Sequence, residues 1–374
     1  MILSDRLLVR AELLKNHGVE GLNANLSKAG LGRPLPDLTI PETGTARYVA
    51  VPVAGSDLDA VLDVLRQTAD EPGDVLRDVR FGATTTGAGK PGRFELLGEK
   101  TGHGVADAAW TPVEATAMGP QPNWRALDDR PVIALLDSGV LANHPWLPQP
   151  VDGQPFVHDA DGWAQVRALD VPALPPIGKE RNLGSHLGHG TFIAGIIRRV
   201  APDAQVLSVK VMDALGQVNE ENVIAALEWL AGYGGRVDVV LMAFGRKVEN
   251  GDDSSSSADR VKKAVDALAG RGVRVVMSAG NDATTDPVFP ACYAPLAGPG
   301  VTSVGGGLSK DFPEEYSSRG PWVTDWRLGG EVVSLMPLTP EGKKLAGAGY
   351  AQWTGTSFSA AIFAGELAAN SSAS

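Results

Sequence analysis

From Pro131 onward, short apolar runs bounded by turn residues alternate with stretches whose apolar residues recur at helical spacing. The runs are Val132–Leu136, Gln205–Val211, Val237–Met242, Val273–Ser278, Gly300–Val304 and Val332–Leu335. A strand that is apolar along its whole length has no solvent face, so both its faces must be covered. Strands of that kind separated by helices predict a parallel sheet with helices on both sides. In such sheets ligands bind beyond the carboxyl ends of the strands. Asp137 stands at one such end.

The first third of the chain has a different pattern. Leu7, Leu8, Leu13 and Leu14 are spaced for one face of a short helix, and a Gly/Pro-rich stretch follows. Arg47–Val53 alternates as a strand. Asp57–Gln67 carries Leu58, Val61, Leu62 and Leu65 at helical spacing behind Ser56, the expected N-cap. Val75–Phe81 is a second expected strand. The expected organisation is an N-terminal extension over 1–45 and a small α/β unit over 46–82. A Gly, Thr, Pro and Ala-rich linker follows over 83–130, then the large α/β domain over 131–374.

Composition narrows the partners. A net charge of −11 argues against a nucleic-acid partner, which needs a basic face. Cys292 is the single cysteine, so the chain forms no internal disulfide. The N-terminus lacks the long apolar core of a signal peptide, and no run is long enough to span a membrane. The expectation is a cytoplasmic protein with no membrane partner.

Three short motifs carry candidate chemistry: Leu136-Asp137-Ser138-Gly139, Gly188-His189-Gly190-Thr191 and Gly355-Thr356-Ser357-Phe358-Ser359-Ala360-Ala361. Singly, each also reads as a turn aspartate, a capping histidine and an N-cap serine. Together they set an acid, a base and a nucleophile in the order Asp, His, Ser. A serine hydroxyl becomes a nucleophile when an adjacent base takes its proton and an acid fixes that base. The order and flanks resemble the subtilisin-like serine peptidases. A fourth segment, Val275-Val276-Met277-Ser278-Ala279-Gly280-Asn281, resembles the family segment that ends in the oxyanion-hole asparagine.

The resemblance spans roughly Pro131 to Gly365. It implies a mostly parallel twisted sheet with helices on both faces, and a serine endopeptidase working through an acyl-enzyme. Asp137, His189, Ser357 and Asn281 are the implied catalytic residues. It further implies that an extended peptide or protein substrate pairs between two edges, Ala243-Phe244-Gly245 and Gly216-Gln217-Val218. Ser278, Ala279 and Gly280 would form a wall of the first specificity pocket and Val288 its floor. No cofactor is implied. The loop that wraps calcium in many relatives is missing after Gly195, which leaves Asp252, Asp253 and Asp282 as the remaining candidate calcium ligands.

Phe192 stands where relatives commonly have a second histidine, and Ala361-Ile362 where they have Pro-His. The chain also stops sooner after Ser357 than relatives do. The small N-terminal unit resembles in outline the family's propeptide, an intramolecular inhibitor. Two other readings remain open at this point: a dedicated processing enzyme for one leader or partner, and a catalytically silent peptide-binding protein.

Overall fold

The computed structural model describes residues 6–36, 48–53, 57–69, 75–77, 80–83, 111–113, 129–141, 144–147, 156–160, 186, 188–213, 216–248, 255–337 and 349–371. It divides into two compact units. One is built from residues within 1–80 and 219–225, the other from most of the remainder.

The first unit opens with strand β1 (Arg6–Arg10) and helix α1 (Ala11–Lys28), followed by β2 (Tyr48–Pro52), α2 (Leu58–Thr68) and β3 (Val75–Arg77). β1 lies between β2 and β3 in an antiparallel sheet, with Leu8 opposite both Ala50 and Leu76. Leu7 and Leu8 are therefore strand residues and not the start of a helix. Leu7, Leu8 and Val9 are fully buried at the centre of the sheet, which local spacing could not reveal. The same pairing joins residues on either side of the expected boundary at 45. Leu7 and Val9 pack with Leu13, Leu14 and Leu22 of α1 and with Val61, Leu62 and Leu65 of α2. The N-cap of α2 is Asp57, whose carboxylate accepts the Asp59 N–H at 2.9 Å. Ser56, the expected cap, lies outside the described residues. The expected Val75–Phe81 strand is two strands, β3 and β4 (Arg80–Ala83). The expected linker contains the end of β4 and also β5 (Thr111–Val113).

The second unit is built on a central sheet. Its strands are β6 (Val132–Asp137), β7 (Val157–Asp159), β8 (Gln205–Lys210), β10 (Val239–Met242), β12 (Arg274–Ser278), β14 (Val301–Ser309), β15 (Phe312–Pro313) and β16 (Asp325–Arg327). The order is β15-β14-β12-β10-β6-β8-β7, with β16 also on β14, and every pairing is parallel except β14–β15. Ile133 to Asp137 are all buried, as a fully covered strand requires.

Helices α3 (His189–Val200) and α6 (Thr356–Ala369) share one core with Ile133, Leu135, Val239, Leu241 and Val276. Val261 and Val265 of α5 (Ser255–Gly270) meet Met277, which alternates with Val276 and so lies on the opposite face. Among the described residues a further α-helix, α4 (Glu220–Gly232), begins in the first unit and continues in the second from Ala226. The sixth apolar run, Val332–Leu335, does not join the parallel sheet. It forms β17, antiparallel to β18 (Tyr350–Trp353), with β5 on the far edge of β18. A smaller sheet has the order β13-β11-β4-β9, from β13 (Val288–Phe289), β11 (Phe244–Lys247), β4 and β9 (Gln217–Asn219).

Candidate active site

Four segments converge at the carboxyl ends of β6, β10 and β12. β6 ends in Asp137, whose side chain is fully buried and whose Oδ1 accepts the Ser138 N–H at 2.7 Å. His189 is the first residue of α3, behind Gly188, which takes a positive φ of 83°. That conformation suits glycine and aims the histidine back toward the sheet. Gly190 is needed for a different reason. A Cβ there would overlap the carbonyl oxygen of Gly139 and lie 3.1 Å from Asp137 Oδ1, so only glycine lets α3 approach this closely.

His189 Nδ1 lies 2.9 Å from Asp137 Oδ2 and 3.0 Å from Oδ1, with both side chains fully buried. An acceptor on Nδ1 holds its proton there and leaves Nε2 as the basic nitrogen. Nε2 is buried and has no hydrogen-bond partner among the described residues. The ring is enclosed by Trp353, Phe358 and His186, at centroid separations of 5.4, 5.8 and 6.1 Å.

Ser357 is the second residue of α6, a helix buried on nearly all sides. Its hydroxyl donates to the carbonyl of Ala243 at 2.9 Å. Asn281 follows β12 by three residues. Its Oδ1 accepts the Thr356 N–H at 2.9 Å, and Gly280 N–H donates to Thr356 Oγ1 at 3.0 Å. These two bonds tie the Asn281 loop to the start of α6. Among the described residues they leave the Asn281 Nδ2 donor buried without a partner. A buried amide donor with no acceptor costs free energy in the resting protein, so its placement calls for an explanation.

The expected substrate segments fall on two edges. Ala243 and Phe244 are fully buried at the start of β11, and Gly245 is half-buried. Gly216, with a φ of 79°, turns the chain into Gln217 and Val218 of β9. Between these edges runs β4, with Ala83 opposite Phe244 and Gly82 opposite Gly245. Ser278, at the end of β12, and Ala279 are buried. A Cβ on Gly280 would sit 3.3 Å from Val288 Cγ1, so Val288 lies against that wall.

Trp353, Phe358 and His186 escaped the sequence reading. Trp353 and Phe358 look like ordinary core residues in sequence, and only their positions flanking Ser357 hint at more. His186, three residues before His189, was the readable signal. Among the described residues no group of three His, Cys, Asp or Glu is placed to hold a metal ion. Asp282 pairs with Lys247 at 3.7 Å, while Asp252 and Asp253 lie outside the described residues. Helix α3 continues through Gly195 to Val200, and the chain enters β8 at Gln205. No described helix is long and apolar enough to cross a membrane.

The Major intracellular serine protease of Bacillus subtilis (strain 168) is 29% identical over 255 residues, 63% of this chain and 66% of that protein. Thermitase of Thermoactinomyces vulgaris is 28% identical over 243 residues, 62% of this chain and 72% of that protein. The crystal structure of a cold adapted subtilisin-like serine proteinase aligns over 68% of this chain and 80% of its own, at 22% identity and a TM-score of 0.46. The model of the Subtilase family matches residues 128–373, which takes in all four converging segments, and the chain belongs to that family.

Proposed function

We propose that this chain is a serine endopeptidase in which Asp137, His189, Ser357 and Asn281 carry the reaction. One observation carries the reading: the buried Asp137–His189 pair leaves Nε2, without a partner among the described residues, at the end of the sheet where Ser357 and the Asn281 amide also lie. Ser357 Oγ leaves its bond to Ala243, gives its proton to His189 Nε2 and attacks the peptide carbonyl. The carbonyl oxygen becomes an oxyanion, met by Asn281 Nδ2 and by the Ser357 backbone N–H in the first turn of α6. His189 then hands its proton to the leaving amine, and the acyl-serine forms as the peptide bond breaks. Water, deprotonated by His189, hydrolyses the ester and restores Ser357. No step requires a cofactor, and calcium has no role at the turn after α3.

The substrate is an extended polypeptide that adds as a strand between β11 and β9. The chain's own β4 takes that place, which supports an inhibitory role for the N-terminal unit. A bound strand in the register of β4 sets its next residue opposite Ala243, whose carbonyl holds the Ser357 hydroxyl. Self-cleavage is accordingly expected directly after β4, within Thr84-Thr85-Thr86. Val288 against Gly280 favours small or medium apolar residues in the pocket without strictly excluding others such as threonine. The single cysteine and the intracellular relative support a cytoplasmic setting. Mass spectrometry of the purified chain beside its Ser357→Ala variant tests the proposal. A cut after β4 in the parent alone supports it, and equal cutting of both chains refutes it.

A further inference from the structure

Strand β18 ends four residues before Ser357, and its last residue, Trp353, stands edge-on to the His189 ring at 5.4 Å and 81°. One edge of β18 is paired with β17. The other carries β5, antiparallel, with Thr111 opposite Gln352, Pro112 opposite Ala351 and Val113 opposite Tyr350. Proline has no N–H, so Ala351–Pro112 takes the non-hydrogen-bonded position of the ladder. The ladder bonds then fall on the two flanking pairs. The proline occupies the one position of this short strand at which a missing donor costs nothing.

Chain direction gives the arrangement its meaning. β4 reaches Ala83 opposite Phe244, beside the residue that accepts the Ser357 hydroxyl. β5 starts, at Thr111, beside the end of β18 that adjoins the nucleophile, and runs away from it toward Val113. A peptide being cut has this same polarity: its acyl part runs up to the serine and its leaving part runs on from it.

We infer that the outer edge of β18 is a strand-docking site for the leaving part of a polypeptide substrate, and that the chain's own Thr111–Val113 fills it. The inference rests on the peptidase reading above. It adds a consequence for substrate class. β5 lies C-terminal to a cut made directly after β4, so it stays covalently attached to the catalytic unit when the N-terminal unit is severed. Polypeptides with several residues beyond the scissile bond must displace β5, whereas those with a short leaving part need not. The mature enzyme therefore prefers bonds close to the C-terminal end of its substrates.

The test uses the full chain and a Thr111→Pro/Val113→Pro variant, which removes the donors at both bonded pairs. Two substrates share one acyl part. One ends in a nitroanilide, and the other continues five residues past the cut bond. The variant should raise kcat/KM for the long substrate at least tenfold and leave the anilide within twofold. An unchanged ratio of long to short overturns the proposal. In the Ser357→Ala background, a fluorescent peptide copying residues 107–116 should bind the double-proline variant and not its parent, by anisotropy. Binding to neither overturns the proposal. If neither substrate is hydrolysed by any form, the peptidase reading falls, and the anisotropy arm still decides the docking edge. If the proline variant fails to fold, Val113→Cys/Tyr350→Cys replaces it. Oxidised, it should cut the long substrate at least tenfold more slowly than when reduced, and equal rates overturn the proposal.

Discussion

The proposed reaction gives Asn281 two jobs at opposite ends of one amide, and substitutions can separate them. Oδ1 accepts the Thr356 N–H at 2.9 Å and so helps fix the first turn of α6. Nδ2 has no partner among the described residues, and in the proposed reaction it gains one only when an oxyanion forms. A hydrogen bond to a charged group is worth about 1.5–3 kcal/mol, and each ~1.4 kcal/mol is tenfold in rate. Asn281→Ala should therefore lower kcat by about 10- to 150-fold, with KM nearly unchanged, because the interaction exists only in the transition state. It also strands the Thr356 N–H, which costs about 1–3 kcal/mol of stability. Asn281→Asp keeps that acceptor and replaces the donor with a negative charge facing the oxyanion. It should hold stability near the parent and lose at least as much kcat. Steady-state hydrolysis of a nitroanilide and urea unfolding of all three proteins supply the four numbers. A fall in kcat below about threefold for Asn281→Ala, or an effect confined to KM, would refute the donor role.

The remaining expectations concern packing, protonation and metal. Gly190→Ala drives a methyl into the Gly139 carbonyl and should cost about 1–3 kcal/mol of stability. Because it displaces His189 from Asp137, kcat should also drop by about a hundredfold, and parental kinetics would show that α3 tolerates the shift. Cys292 is half-buried, and burial pushes its thiol up to about 11. Its alkylation by iodoacetamide near pH ~8 should run roughly a hundredfold slower than free cysteine, and a matching rate would contradict this. His144 is buried, its Nδ1 accepts the Trp146 N–H at 3.1 Å, and burial lowers its pKa below 6.5. The unfolded chain then takes up the proton first. The His144 contribution should be intact above pH ~6.5 and fade as the pH falls toward the lowered value. Melting curves across that window should flatten in His144→Asn, and parallel curves would oppose the assignment. Helix α3 runs unbroken past Gly195, so a chelator should leave activity and melting temperature unchanged, and loss of either would point to a bound metal.

The sequence made the large sheet and the four converging segments readable because each is encoded locally. Continuous apolar runs such as Ile133–Leu136 have only one stable environment, between two helical layers. The glycines around His189 and Ser357 mark where the backbone must turn or approach closely. Tertiary pairing is what stayed hidden. Val332–Leu335 is as apolar as β6, and only its partner β18 shows that it lies outside the parallel sheet. Leu7 and Leu8 fit a helical stripe as well as a central strand. Gly82 and Pro112 are poor strand residues, and β4 and β5 are extended because β11 and β18 offer them edges. Trp353 closes around His189 from a segment whose local pattern suggests only core packing.

The central claim is that Ser357 is a nucleophile made reactive by His189. Peptide-mapping mass spectrometry after treatment with a small fluorophosphonate tests it most directly. The parent should carry one adduct, on Ser357, and the folded His189→Ala and Ser357→Ala variants should carry none there. An unmodified Ser357 in the folded parent, or labelling of Ser357 that persists undiminished in His189→Ala, would contradict the account.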